Sequence, residues 1–346
     1  MKLAKVFEHR NFWLGCGMFL IMWGHASPEG NSWLVQFFNC FGYGGVDVFI
    51  FASGAGCYYS LSRDPDILRF LKRRLIRLAP AYVCFIIPWM LWRNIAVPLS
   101  PESVLGNLFG LQFFVSYPES FNWYLSGLIL YYVLTPYLKQ VTDSHRTFWQ
   151  EAAVLFLLVL VCVPFWRSGD QIMVILARLP VYYLGLMYGK MAKQDYVLTK
   201  KECLLHLLVL VTGWLLMNSI YYRLYNYLWS HGLYWYPFVL IIPGSCLFLS
   251  TVGSLMHKTP LLRWLYRLLE LMGIYSFELY LVHSFLYAYL MPDIIPQFSH
   301  IPVNYLWLMT LPVVALGTFL LNRAAAFLSY VVRKSTARFS SKVLQK

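Results

Sequence analysis

Apolar residues in this chain come in long runs, separated by short polar connections that are often basic. A run of roughly 20 apolar residues is the length at which an α-helix crosses the hydrocarbon core of a bilayer. Reading the runs by that rule predicts about ten transmembrane helices, over 11–27, 38–61, 75–97, 121–138, 150–166, 171–193, 201–222, 235–256, 269–291 and 303–330. The stretch 104–117 (VLGNLFGLQFFVSY) is apolar but too short to span, and reads as interfacial or re-entrant. No internal repeat or low-complexity tract interrupts the pattern, and the polar connections are too short to fold alone. The expected fold is all-α, a polytopic bundle of about ten helices forming one integral-membrane domain over 1–346. The first run lacks a small-residue cleavage site and ends in His25 and Pro28, so it reads as a retained helix rather than a signal peptide.

Composition agrees with the pattern. Hydrophobic residues make up 59% of the 346 and charged residues only 12%, against about 25% charged in a soluble domain. The formal net charge of +13 is compatible with nucleic acid or with a membrane, and its distribution decides for the membrane. Basic residues gather at alternate ends of the runs: Lys2, Lys5 and Arg10; Arg63 and Arg69 to Arg77; Lys139 and Arg146; Lys190 to Lys201; Lys258 to Arg267; and Arg323 onward. The intervening connections hold only Arg93, Arg167 and Arg223. The positive-inside rule then places both termini and every lysine-bearing connection in the cytoplasm, for a multi-pass protein of the cell membrane that does not bind nucleic acid.

Little of the familiar chemistry is present. The seven cysteines show no CxxC spacing and read as packing residues. No His, Cys and carboxylate set has zinc-like spacing, and no P-loop or strand-borne GxGxxG occurs, so no metal is expected. What stands out is polarity at membrane depth. His25 closes the first run and Asp47 opens the second, and ionisable groups there face a bundle interior and are costly to keep. A base beside a group that orients it is what general-base chemistry needs. Glu29 is a further carboxylate near His25, though on a loop. Asp47 and Gly54, seven apart, share a helical face. Beyond them an amphipathic basic helix, ILRFLKRRLIRLAP, clusters Arg73, Arg74 and Arg77. Such guanidinium forks suit either the phosphates of a nucleotide-like donor or an anionic lipid surface. Arg178, Glu278 and His283 are buried-pair or site candidates, with Glu278 and Arg178 as one possible pair. Trp123 and Tyr124 fit an aromatic belt or an acceptor contact.

Six fragments, in order and across nearly the whole chain, resemble the membrane acyltransferase 3 family. They are His25; GGVDVFIFASGAG (44–56); RRLIRLAP (73–80); NWYLSGLILYYVLTPYL (122–138); RLPVYYLGLMYGK (178–190); and IYSFELYLVHSF (274–285). The resemblance implies a ten-helix bundle in a stand-alone form without a fused extracellular domain. It would pass an acyl group, usually acetyl, from cytosolic acyl-CoA (acetyl-CoA) to a hydroxyl of a cell-surface or lipid-linked glycan. It further implies that His25 is the essential histidine and Asp47 the acidic residue of the second helix. By the same carry-over, Ser53 and Gly54 are the Ser-Gly element, and Arg74 and Arg77 the acyl-CoA pair. Trp123 and Tyr124, with Arg178, Glu278 and His283, are then expected on the acceptor side. One position departs from the pattern: many members carry an arginine eleven residues before the histidine, where this chain has Leu14, with Arg10 one turn earlier.

Two function classes follow. In the enzyme class, His25, steered by Asp47, takes the proton of an acceptor hydroxyl that attacks the thioester; a transient acyl-histidine is a variant. In the transporter class, His25, Asp47, Arg178 and Glu278 line the path of a small solute or lipid-linked sugar. The absence of two related halves and the R-x-x-R cluster at one end favour the enzyme.

Overall fold

A computed structural model describes residues 1–26, 30, 32–116, 119–121, 123–144, 147–161, 172–230 and 233–343. Pro28, Glu29, Arg146, Arg167, Lys346 and the expected helix beyond 161 lie outside the described residues. The described residues are 84% helix, with no strand among them. A helix lies within each of the ten predicted stretches, but not always as one piece. Among the described residues, four are membrane-spanning candidates by length and apolarity: Ile67–Ala96, Lys200–Arg223, Pro237–Lys258 and Val303–Ser335. A fifth forms if Trp33–Phe41 and Gly44–Arg63, bent by 41°, count as one span.

The breaks have local causes. The expected 38–61 helix bends at Gly42-Tyr43, where Gly42 is pressed so close to Gly24 that a Cβ would lie 2.9 Å from the Gly24 Cα. Ser32 caps the preceding short helix by accepting from the Val35 amide. The expected 171–193 helix divides into Met173–Leu176 and Leu179–Lys193, with Pro180 in the first turn of the second piece. The expected 269–291 helix becomes Arg263–Ile274, Ser276–Phe285 and a π-helical turn, Leu286–Leu290. The short 104–117 stretch holds two helices, Pro101–Leu108 and Gln112–Val115. Gly110 turns the chain between them at φ +70°.

Leu204, Leu205, Leu207, Leu208, Leu215 and Leu216 are all exposed along Lys200–Arg223, as are Leu308, Met309, Leu316, Phe319 and Leu320 along Val303–Val343. Apolar faces of that extent belong against lipid, where helices alone satisfy their own backbone.

The chain forms two compact units. One comprises Met1–Leu71 and Asn122–Ile274. Its helices approach through glycine. A Cβ at Gly54 would lie 2.3 Å from the Tyr182 carbonyl oxygen, and one at Gly185 would lie 2.2 Å from that of Phe51. The same holds for Gly15 against Leu269 and Gly273 against Asn11. Small residues at facing positions let membrane helices pack backbone to backbone. The lysine-bearing ends of this unit meet: Met1 and Leu198 exchange backbone hydrogen bonds of 2.8 and 2.9 Å, Lys193 Nζ donates to Ser62 O and Lys190 Nζ to Thr142 O.

The second unit comprises Lys72–Phe121 and Tyr275–Lys346. Phe85, Trp89, Trp92, Phe121, Phe285 and Tyr289 pack ring against ring, with centroids 4.7–6.2 Å apart. A buried polar network ties down the 100–121 segment. Asn107 donates to Ser103 O and Glu119 O, and its backbone carbonyl accepts from the Tyr82 hydroxyl at 2.5 Å.

Candidate functional site

Asp47 sits in the first turn of Gly44–Arg63, where the helix dipole favours a carboxylate. Arg178 is the N-cap residue of Leu179–Lys193. The close glycine crossing brings these two helix starts together. Arg178 Nε donates to Asp47 Oδ2 at 3.3 Å, with the side chains 1% and 0% exposed. Arg178 Nη1 also donates to Val174 O at 2.7 Å. The guanidinium carbon lies 4.8 Å over the Trp123 ring and 4.9 Å over the Trp235 ring, close enough for cation–π attraction to both. The pair is thus fully desolvated and walled by two indoles.

Its bonding capacity is not exhausted. Asp47 Oδ1 is buried without a hydrogen-bond partner among the described residues. Of the five N–H donors of a guanidinium, two are engaged among the described residues, by Asp47 and Val174.

His25 lies apart from this pair. It is exposed and stands in the last turn of Arg10–Ala26. That helix runs antiparallel to Gly44–Arg63: a Cβ at Gly45 would lie 2.3 Å from Gly17 O, while one at Gly24 would lie 3.3 Å from the Gly42 Cα. Asp47 is therefore level with Gly17, and His25, eight residues farther on, is about 12 Å beyond it along the axis. The carboxylate expected to steer His25 is engaged by Arg178. The register of the two helices, set by their glycines, is the reason. Glu278, in the second unit, accepts from Asn322 Nδ2 at 3.3 Å. Leu14, at the position where the resemblance expects arginine, is buried, 4% exposed.

The remaining candidates fall elsewhere. Gly54 is accounted for by the helix crossing described above. Ser53 is half-buried and donates to the Tyr132 hydroxyl at 3.4 Å. Tyr124 is half-buried and set edge-on to Trp123, centroids 6.0 Å apart. In the second unit, Arg74 is half-buried and Arg77 exposed, one turn apart on Ile67–Ala96. Just before that helix, Asp66 accepts from the Arg69 amide at 2.8 Å and from Arg69 Nε at 2.9 Å. The backbone bond first, and then the guanidinium, hold its carboxyl below the usual carboxylate range. Arg69, bridged also to Asp64 at 3.5 Å, is thus matched by local acids. His283 is fully buried between the Tyr280 and Tyr287 rings, and its Nδ1 lies 2.7 Å from Leu279 O. A carbonyl only accepts, so Nδ1 carries the proton. Trp235 is the residue that the sequence did not single out. It is one of 13 tryptophans, and nothing in its local pattern sets it apart.

Within the first unit, the Asp47–Arg178 pair sits away from the lysine-rich end. Arg178 precedes Lys190 by twelve residues, about 18 Å of helix, more than half of a bilayer core of about 30 Å. No group of three or more His, Cys, Asp or Glu residues is placed to hold a metal ion among the described residues.

A family model described as an acyltransferase domain matches residues 15–323. The chain belongs to the acyltransferase 3 family. No curated protein and no solved structure matches it.

Proposed function

We propose that this member of the acyltransferase 3 family is a cell-membrane O-acyltransferase that moves an acetyl or other short acyl group from acyl-CoA to a hydroxyl of a surface or lipid-linked glycan. Family membership makes it a membrane acyltransferase; the donor, the acceptor and the residue roles are the proposal. The observation that carries it is an exposed imidazole, His25, on the unit whose buried polar pair lies away from its lysine-rich end. In this reading His25 takes the proton from the acceptor hydroxyl as its oxygen attacks the thioester carbonyl. The carbon–sulfur bond breaks and the CoA sulfur leaves, taking up a proton. Arg74 and Arg77 hold the donor's phosphates, because two guanidiniums one turn apart present forks to one anion. Within the first unit, Trp123, Tyr124 and Arg178 belong to the acceptor side. No metal takes part.

The test is acyl transfer from labelled acetyl-CoA in membranes, with turnover normalised to folded protein. His25→Ala should lose about 10²–10⁴-fold in turnover with acetyl-CoA binding intact. Arg74→Ala and Arg77→Ala should each weaken acetyl-CoA binding, with Lys restoring it only in part. Parent-like turnover of folded His25→Ala would remove the histidine from the chemistry. Parent-like acetyl-CoA binding by both arginine variants would make those residues lipid anchors.

A further inference from the structure

The Asp47–Arg178 pair is buried with bonding capacity to spare, which is unusual. An ionised pair taken out of water normally has its remaining lone pairs and protons satisfied, because each unmet bond costs free energy. Among the described residues, Asp47 Oδ1 has no partner and only two donors of Arg178 are engaged. One acceptor and three donors therefore remain on two groups in direct contact. Both indole rings sit over the guanidinium carbon, at 4.8 and 4.9 Å, so hydrogen bonding is left to the edge of the fork.

We propose that this pair is a subsite for a neutral, hydroxyl-bearing sugar. A hydroxyl accepts from a guanidinium N–H through its oxygen and donates its hydrogen to Oδ1, which meets both unmet needs with one group. A vicinal diol does so with two. The charges of Asp47 and Arg178 cancel locally, so neither an anionic nor a cationic ligand gains from entering, and a neutral ligand loses least on desolvation. Trp123 and Trp235 close the sides and fix the fork. Asp47 thus binds rather than supporting His25, and Trp235 is a positioning residue that acts through Arg178. This subsite deepens the transferase reading and rests on it for the identity of the sugar as acceptor.

Two measurements test it on the full chain in lipid nanodiscs. The first is saturation-transfer NMR with methyl glycosides of glucose, galactose and mannose and with the corresponding uronates. At least one neutral glycoside should bind the parent, no uronate should bind more tightly, and Asp47→Asn should abolish binding while the variant stays folded. Trp235→Phe should keep binding and Trp235→Leu should weaken it. The second is transfer kinetics with surface glycan as acceptor. Asp47→Asn should raise acceptor KM about tenfold or more, leaving acetyl-CoA KM and the pH profile unchanged. Absence of any glycoside binding, preference for a uronate, or an Asp47→Asn variant that binds like the parent overturns the subsite. So does an Asp47→Asn variant whose loss lies in turnover and its pH profile with KM intact, since that is the signature of a group steering the base. Failure of the transferase reading looks different: the parent would transfer nothing while glycoside binding and its loss in Asp47→Asn persist.

Discussion

At the residue scale, the buried pair makes a prediction independent of its chemistry. Removing one partner of a desolvated ion pair leaves an uncompensated charge, which costs about 3–5 kcal/mol. Replacing both with apolar residues of similar size is often neutral or better. Arg178→Met should therefore lower unfolding stability in detergent strongly. The Asp47→Leu, Arg178→Met double variant should recover much of that loss although it would be inactive. Additive losses would mean that the two residues do not interact as a pair. The sequence made Asp47, Arg178 and Trp123 legible one at a time, because polar groups in apolar runs are costly and conspicuous. Their partnership was not legible. Asp47 meets Arg178 rather than His25 because Gly45 faces Gly17 and Gly54 faces Tyr182. That register is fixed by contacts between distant segments, which no local pattern records.

At the scale of the element, the run-length rule found where helices lie and missed where they break. Pro180 and Gly110 are visible breakers in hindsight, and so are Gly273, two residues before the break at Tyr275, and Pro292, just after the π turn at Leu286–Leu290. Two glycines on one helix give a contrast test. A Cβ at Gly54 meets backbone at 2.3 Å, whereas at Gly56 nothing lies within 4 Å. Gly56→Ala should hold or raise stability, by up to about 1 kcal/mol, since alanine is the better helix former. Gly54→Ala should push two helices apart and destabilise the unit. Thermal unfolding of the two purified variants decides it. If Gly54→Ala stays folded and loses only acyl-CoA affinity, Gly54 serves the donor rather than the helix contact.

At the scale of the whole molecule, orientation is the property the charges address, and the first unit gives that expectation a geometric counterpart. Residues 1–3 pair with 196–198, Lys193 reaches Ser62, Lys190 reaches Thr142, and the Tyr58 hydroxyl donates to Asp143 at 2.8 Å. Four lysine- or arginine-bearing segments thus share one end, as the alternation of charge along the sequence requires. Trp33, 71% exposed, begins the helix that leads to Gly42 beside Gly24, at the far end of the same unit. Cationic connections stay on the cytoplasmic side, so the shared end should face the cytoplasm and Trp33 the opposite compartment. Single-cysteine variants at the exposed positions Ser144, Val197 and Trp33, probed with a membrane-impermeant thiol reagent, read this out. Ser144→Cys and Val197→Cys should react only after the membrane is opened, and Trp33→Cys in intact cells. The reverse pattern would invert the protein and move His25 to the cytoplasmic side, where the acceptor would have to be modified before export. Opposite behaviour of Ser144→Cys and Val197→Cys would break the shared end itself, and with it the reading of the first unit as helices crossing the membrane in alternation.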